Sequence, residues 1–339
     1  MCDTFNQKYT DGSRGKTLTV DRAGQDAVRP ADAHARDLLL GSLPMSRFAP
    51  AVPVLLLASP LALAHDKGHG PPTLASAWTV SPWVLAPLLL LAGLYAAGLV
   101  RLWQRAGAGA GISAMQAAGF ALGLAAMALA TVWPLDALGE WSLAAHIAQH
   151  MLLLALVPPL LLAGRPAAAI AHVLPATVSA RLHRSTARLQ ALASGGLGLA
   201  TAAHIGVMLA WHLPVATTSA LQNEAVHWVM HASFLLAGLW FWAALWHRIR
   251  EPDSGAGAAL VSIIAVMMAM GFLGALLTFS RRILYPVYGW RAPELGLDPL
   301  VDQQLAGLVM WVPACMPYIV GGLVLARLWL RRAERRPAG

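Results

Sequence analysis

Residues 141–163 read WSLAAHIAQHMLLLALVPPLLLA. The stretch is almost wholly apolar and matches the length of roughly 20 residues that a helix needs to cross a bilayer. It carries two histidines, His146 and His150, four residues apart. On an α-helix this spacing puts both imidazoles on one face, one turn apart. Polar groups in membrane helices usually face a bundle interior and mark a site, so the stretch predicts a membrane span that carries a functional site.

A second stretch repeats this arrangement further along the chain. His227 and His231 stand four residues apart in an apolar run over 224–246, and His212 precedes them in the motif WHLP. The second pair follows the first by 81 residues. Duplicated membrane hairpins often place a binding site where the two repeats meet. A duplication therefore predicts that both pairs contribute to one site; the alternative is that two such short matches arise by chance.

The overall composition is that of an integral membrane protein. Of the 339 residues, 58% are hydrophobic and only 12% are charged, against about 25% charged in a soluble domain. The net charge of +8 reflects arginines placed for membrane orientation and does not indicate a nucleic-acid partner. Two distant cysteines give neither a disulfide framework nor a CxxC redox motif.

The apolar runs predict an all-α, polytopic membrane helix bundle with seven transmembrane helices. The membrane domain covers 82–328, and a basic cytoplasmic tail follows over 329–339. The predicted spans are 82–102, 112–133, 143–163, 194–213, 225–246, 257–279 and 304–328.

The region before the first span divides into three parts. Residues 1–44 are polar and indicate either disorder or an artefact of an upstream start site. Residues 45–64 have the basic start, the apolar core and the A-x-A end of a secretory signal peptide; an uncleaved anchor is the alternative. Residues 65–81 then form a periplasmic tail, in which His65 and His69 are a weak candidate for metal binding.

The distribution of basic residues predicts the orientation of the bundle. With the amino terminus outside and the carboxyl terminus inside, thirteen arginines fall on the inner side and only four basic residues fall on the outer side. Inner loops of membrane proteins carry the excess of lysine and arginine. The four outer residues are Lys67, Arg281, Arg282 and Arg291.

This orientation gathers five histidines from three spans in one layer near the outer face. Imidazole suits copper, zinc, iron and nickel, and thioether or thiol groups select Cu(I). The layer therefore predicts a metal site loaded from the periplasm, although a membrane histidine can also be a structural hydrogen-bond donor. The primary candidate ligands are His146, His150, His212, His227 and His231. The secondary candidates are His204, Met208 and Asp302.

Two segments outside the spans have predicted roles of their own. The segment 166–191 carries three arginines and is typical of an interfacial amphipathic helix against anionic lipid. The loop over 280–299 is a candidate cap over the histidine layer. Motifs for ATP use, zinc proteolysis and nucleophilic hydrolysis are absent from the sequence.

Residues 78–330 resemble the polytopic CtaG family of bacterial assembly factors for caa-type cytochrome c oxidase. The matching motifs are HIAQHMLLL at 146–154, PPLLLAGRP at 158–166, WHLP at 211–214, HWVMH at 227–231, DQQ at 302–304 and MWVP at 310–313. The resemblance implies a multi-pass protein of the bacterial plasma (inner) membrane that is needed to form active oxidase and is often linked to copper insertion.

Three functions remain open at this point. The first is a non-enzymatic assembly factor that holds copper at the histidine layer and passes it to cytochrome c oxidase subunits or other copper chaperones. The second is a b-type cytochrome with haem between two helices. The third is a copper or proton permease, for which the histidines would line a path across the membrane.

Overall fold

The computed structural model describes residues 70–250 and 255–334. The predictions for 1–44 and 45–64, and those for His65 and His69, lie outside the described residues. Every regular element that is described is helical, which confirms the all-α prediction. The helices are α1 Pro82–Ala106, α2 Ala114–Thr131, α3 Leu135–Gly139, α4 Leu143–Met151, α5 Val157–Ala163, α6 Pro166–Ala171, α7 Ala176–Gly195, α8 Leu197–Trp211, α9 Pro214–Gln222, α10 Glu224–Arg250, α11 Ala256–Phe279, α12 Pro299–Trp311 and α13 Met316–Glu334.

The described helices provide six candidate membrane spans, or seven if one bent pair counts as a span. The six are Pro82–Ala106, Ala114–Thr131, Leu143–Ala163, Glu224–Arg248, Ala256–Phe279 and Pro299–Arg331. They present large apolar side chains on their outer surfaces; Trp83, Phe272 and Phe279 are each more than 70% exposed. A polytopic membrane bundle accounts for this exposure, because lipid covers such a surface.

The fourth predicted span is a bent pair of helices instead of one straight helix. The α8 helix has 15 residues, which is about 22 Å of helix against a hydrocarbon core of about 30 Å. It ends at Trp211, and α9 leaves at an angle of 72°. The cause is Pro214, which lacks an N–H and keeps the preceding Leu213 in an extended conformation. His212 therefore lies at a bend.

The third predicted span is continuous but contains a wide turn in its middle. The α4 helix passes through a π-type turn over Leu152–Leu156 into α5. Pro158 and Pro159 follow one residue later, after Val157, and neither can donate the backbone hydrogen bond of a regular helix. Turns of this kind are frequent at functional sites. Here the turn begins two residues after His150.

The histidine-bearing helices α4 and α10 pack closely at this turn. A Cβ atom on Gly238 of α10 would lie 2.6 Å from the Leu154 carbonyl oxygen and 2.7 Å from Pro158 Cγ. Only glycine permits this approach. The close packing brings the first turns of α4 and α10 alongside each other.

The two ends of the bundle differ in character. We call the end where α4 and α10 begin and α8 finishes the histidine end. At the opposite end, the arginine end, lie the segments with most of the arginines. The α7 helix runs through the predicted interfacial segment, and α13 continues through the start of the predicted tail to Glu334.

Candidate metal centre

Two histidine pairs face each other at the histidine end. Within α4, the rings of His146 and His150 have centroids 4.2 Å apart, and His227 and His231 in α10 have the same 4.2 Å separation. Across the two helices, the centroids of His146 and His227 are 6.0 Å apart, and those of His150 and His231 are 5.7 Å apart. The four rings thus form a quadrilateral whose opposite sides nearly match.

A fifth histidine joins this group from the end of α8. The ring centroid of His212 lies 6.2 Å from that of His150. The structure therefore brings together all five primary candidates, and we call them the histidine cluster: His146, His150, His212, His227 and His231. Phe234 of α10 packs beneath the group, stacked on His150 with a centroid distance of 4.4 Å.

The hydrogen bonds of His146 leave its Nε2 atom available. The Tyr288 hydroxyl donates to the Gly139 carbonyl oxygen at 2.8 Å. His146 Nδ1 lies 3.0 Å from the same hydroxyl oxygen and 3.2 Å from the Gly139 oxygen. Because the single hydroxyl proton is already donated, we assign the proton at this contact to Nδ1. The lone pair then lies on Nε2, which is the form of histidine that binds a metal.

His212 is held in the same form by its own helix. Its Nδ1 lies 2.7 Å from the Met208 carbonyl oxygen, which can only accept a hydrogen bond. The proton is therefore on Nδ1, and Nε2 carries the lone pair. A backbone carbonyl on the second ring nitrogen is a common support for a metal-binding histidine.

Six buried ring nitrogens of the cluster have no hydrogen-bond partner among the protein atoms. A polar group that is buried without a partner costs free energy, and most buried polar groups in proteins are paired. Several unpaired imidazoles gathered in one buried cluster are typical of a ligand site. The atoms are Nε2 of His146, both ring nitrogens of His150, Nε2 of His212 and both ring nitrogens of His231.

A carboxylate completes the cluster on the side of α10. Asp136 Oδ1 lies 3.3 Å from His227 Nε2 and accepts a hydrogen bond of 2.7 Å from Gln149 Nε2. Burial alone would raise the pKa of Asp136, but the hydrogen bond from His227 and the charge of His231 outweigh it and hold the pKa below its ordinary value. Asp136 is therefore an anion at neutral pH.

Among the residues that the structure describes, one group of three has donor atoms that all lie within 4.8 Å of one another: Asp136, His227 and His231. Carboxylate and imidazole are both ligands for divalent metal ions. The site is therefore chemically able to hold a metal.

The predicted cap closes over the cluster. From the loop between α11 and α12, Tyr288 contacts His146, and the Tyr285 hydroxyl donates to the His212 carbonyl oxygen at 2.5 Å. Arg291 donates to the Glu140 carbonyl oxygen at 2.6 Å. Burial raises the pKa of Tyr288 well above its ordinary value and that of Tyr285 to about 12, so both hydroxyls keep their protons and remain donors.

The secondary candidates are placed differently from the cluster. His204 Nε2 is hydrogen-bonded to the Tyr318 hydroxyl at 2.8 Å, and its ring packs on Phe241. Asp302 caps α4: it accepts from Ser142 Oγ at 2.6 Å and from the backbone N–H of Leu143 at 2.7 Å.

His204 and Asp302 have side-chain hydrogen bonds that account for their burial. Met208 is fully buried and contributes its carbonyl oxygen to His212. Asp302 positions the helix that carries His146 and His150. Their role as ligands stays a prediction.

Three residues of the site were not among the sequence candidates: Asp136, Gln149 and Tyr288. Asp136 is a buried acidic residue in a short loop helix just before a histidine pair, and that position is the only signal for it in the sequence. Gln149 lies between the two histidines of α4, and glutamine is common in helices, so the sequence gives no indication of a role in the site. Tyr288 belongs to the predicted cap, but the sequence does not indicate which aromatic residue of the loop meets a histidine.

Comparison with known families identifies the chain. Residues 93–332 match the family model described as cytochrome c oxidase caa3 assembly factor, Caa3_CtaG. The chain belongs to the Caa3_CtaG family. The match contains the whole histidine cluster and Asp136, and it confirms the resemblance found in the sequence. This Caa3_CtaG protein is therefore a multi-pass assembly factor for cytochrome c oxidase. No curated protein and no solved structure matches the chain.

Proposed function

We propose that this assembly factor binds copper as cargo at the histidine cluster and delivers it to a cytochrome c oxidase subunit. The observation that carries the proposal is the set of six buried, unpartnered imidazole nitrogens. Neutral imidazole is a ligand for copper, zinc, iron and nickel. Membership of an oxidase assembly family favours copper among these metals.

The position of the cluster suits transfer of a bound ion. The cluster lies at one end of the bundle, beneath a loop that reaches it through Tyr285 and Tyr288. More imidazoles are available than one ion needs, so a ligand can be exchanged while the others hold the ion. With the orientation predicted by the arginines, this end faces the periplasm of a bacterial inner membrane. The proposal involves no catalytic step.

The geometry gives less support to a haem between the two helices. A haem needs a flat gap between its two axial histidines. The rings of the cluster pack at 4.2 to 6.2 Å, and Phe234 is stacked on His150. A porphyrin would have to displace these side chains.

The geometry also gives less support to a permease. Below the cluster, His204 is paired with Tyr318. Toward the arginine end, the buried polar side chains of the described bundle are Thr201 and Ser262, and Thr201 is bonded to its own helix at Leu197. Ions or protons crossing the membrane would need a more continuous line of polar groups.

Metal analysis of the detergent-purified protein tests the proposal. We expect the wild type to retain copper after incubation with Cu(I) and gel filtration, and the double variant His150→Ala, His231→Ala to lose it. The matched control is His204→Ala, which also deletes a buried histidine but should keep copper. Wild-type protein that stays copper-free with Cu(I) and with Cu(II) would contradict the proposal, and a sharp Soret band in its absorption spectrum would favour haem.

A further inference from the structure

One part of the site combines a carboxylate with two of the five histidines. Among the described residues, Asp136, His227 and His231 form the group whose donor atoms all lie within 4.8 Å of one another, and we call it the acidic triad. It provides one oxygen donor and two nitrogen donors, and none of its donors is sulfur. Oxygen and nitrogen donors together are typical of a site for Cu(II) or another divalent ion, whereas sulfur ligands select Cu(I).

The carboxylate of the acidic triad is held in place by the protein. Asp136 Oδ1 accepts a hydrogen bond of 2.7 Å from Gln149 Nε2, which also donates to the Ala130 carbonyl oxygen at 2.8 Å. His227 Nε2 lies 3.3 Å from the same Asp136 oxygen. Two ligands bonded at about 2.0 Å to one ion in tetrahedral geometry are also about 3.3 Å apart. The separation therefore suits an ion in place of the hydrogen that Asp136 and His227 share.

His231 supplies a donor that no other protein group occupies. Both of its ring nitrogens are buried without a hydrogen-bond partner. Such burial costs free energy, and a bound ion would recover this cost. Copper and zinc sites take about four ligands. The triad provides three of them, and the fourth is left to a neighbouring imidazole of the cluster or to a ligand of the receiving protein.

The acidic triad also contains the least enclosed side chains of the site. The side chains of His227 and Asp136 are 13% and 11% exposed, whereas His146 and His150 are 0% and 1% exposed as whole residues. A cargo ion can therefore be loaded and released at the triad without displacement of the fully buried pair of α4.

We propose that the cargo ion is seated at the acidic triad and that Asp136 is a metal ligand whose charge determines specificity for a divalent ion, Cu(II). The inference rests on the proposed function. The cost of burying an ion rises with its charge, and an adjacent opposite charge offsets that cost. Asparagine in place of Asp136 keeps the size and the oxygen atom but removes the charge, so the two oxidation states of copper should respond differently.

Copper affinities of the purified, detergent-solubilised full chain test the inference. Competition with a chelator of known affinity measures Cu(II) binding in air and Cu(I) binding under anaerobic conditions. We expect Asp136→Asn to lower the Cu(II) affinity about 100-fold more than the Cu(I) affinity, because a carboxylate attracts a doubly charged ion more strongly. His227→Gln, which deletes a neutral ligand of the triad, should lower both affinities. The matched control is Glu140→Gln, which removes a carboxylate from the same segment outside the triad and should change neither affinity.

The outcomes separate the inference from the proposed function. Equal losses of Cu(I) and Cu(II) affinity in Asp136→Asn, or no loss of either, overturn the inference while copper binding at the histidine cluster stands. A wild-type chain that binds Cu(I) but not Cu(II) has the same meaning. A wild-type chain that binds copper in neither oxidation state overturns both.

A measurement on the wild type alone guards against variants that fail to fold. We expect the electron paramagnetic resonance spectrum with one equivalent of Cu(II) to have the g and copper hyperfine values of mixed oxygen and nitrogen ligands, because Asp136 belongs to the donor set. Values typical of nitrogen ligands alone would show that the ion is held by imidazoles without the carboxylate, and the inference would then be wrong.

Discussion

The Tyr288 hydroxyl sets the protonation state of His146 without approaching the unpartnered side of the ring. It donates to the Gly139 carbonyl, so its oxygen is left to accept from His146 Nδ1. Its raised pKa keeps the donor proton in place over the working range of pH. Support of this kind orients a metal-binding histidine and makes the opposite nitrogen more basic.

Substitution of Tyr288 therefore tests the support of the site at the scale of one residue. We expect Tyr288→Phe to weaken copper binding roughly 10- to 100-fold, the usual effect of losing a partner of a metal-binding histidine. Competition with a chelator of known affinity measures the change. The matched control is Tyr318→Phe, which deletes a buried hydroxyl bonded to His204 at 2.8 Å. Equal losses in the two variants would mean that the effect is general destabilisation.

The sequence predicted the five histidines but not the groups that hold them. Spacing of four residues on a helix fixes which side chains share a face, and apolar surroundings make a histidine conspicuous. Asp136, Gln149 and Tyr288 carry no such signal. Asp136 lies in the short helix α3, Gln149 lies in α4, and Tyr288 lies in the cap. Their contacts with the histidines depend on how segments that are distant in the sequence pack together.

At the scale of elements, the π-type turn after α4 and the glycine of α10 that meets it determine how the two histidine pairs approach each other. The consecutive prolines Pro158 and Pro159 lie just after the interruption of the third span, which the structure places at Leu152–Leu156. The sequence could not predict that α10 packs against this turn at Gly238. The sequence also predicted one straight span over 194–213, where the structure has the bent pair α8 and α9, although Pro214 marks the position of the bend.

A single methyl group at this contact should separate the two pairs. In Gly238→Ala, the new Cβ would meet the Leu154 carbonyl oxygen at 2.6 Å, and overpacking of this kind costs about 1–3 kcal/mol. We expect a lower unfolding temperature in detergent and weaker copper binding. The matched control is Gly206→Ala in α8, whose added Cβ meets nothing within 4 Å. A Gly238→Ala protein with unchanged stability and copper affinity would show that this contact does not position the site.

At the scale of the whole molecule, function depends on which side of the membrane the cluster faces. The alternation of the spans puts the starts of α4 and α10 at the same end as the Ala292–Leu295 segment. The loop between α1 and α2 lies at the arginine end. The excess of arginine at that end predicts that it is cytoplasmic, and a cargo site at the other end is then open to the periplasm.

Cysteine labelling of intact spheroplasts tests this orientation. Glu294 and Ala108 are exposed positions at the histidine end and the arginine end, respectively. We expect a membrane-impermeant thiol reagent to label Glu294→Cys in intact spheroplasts and to label Ala108→Cys only after permeabilisation, because the lipid barrier excludes the reagent from the cytoplasmic side. The wild-type chain, with buried Cys315, gives the background. The reverse labelling pattern would place the histidine cluster at the cytoplasmic face, and delivery of copper would then have to start from inside the cell.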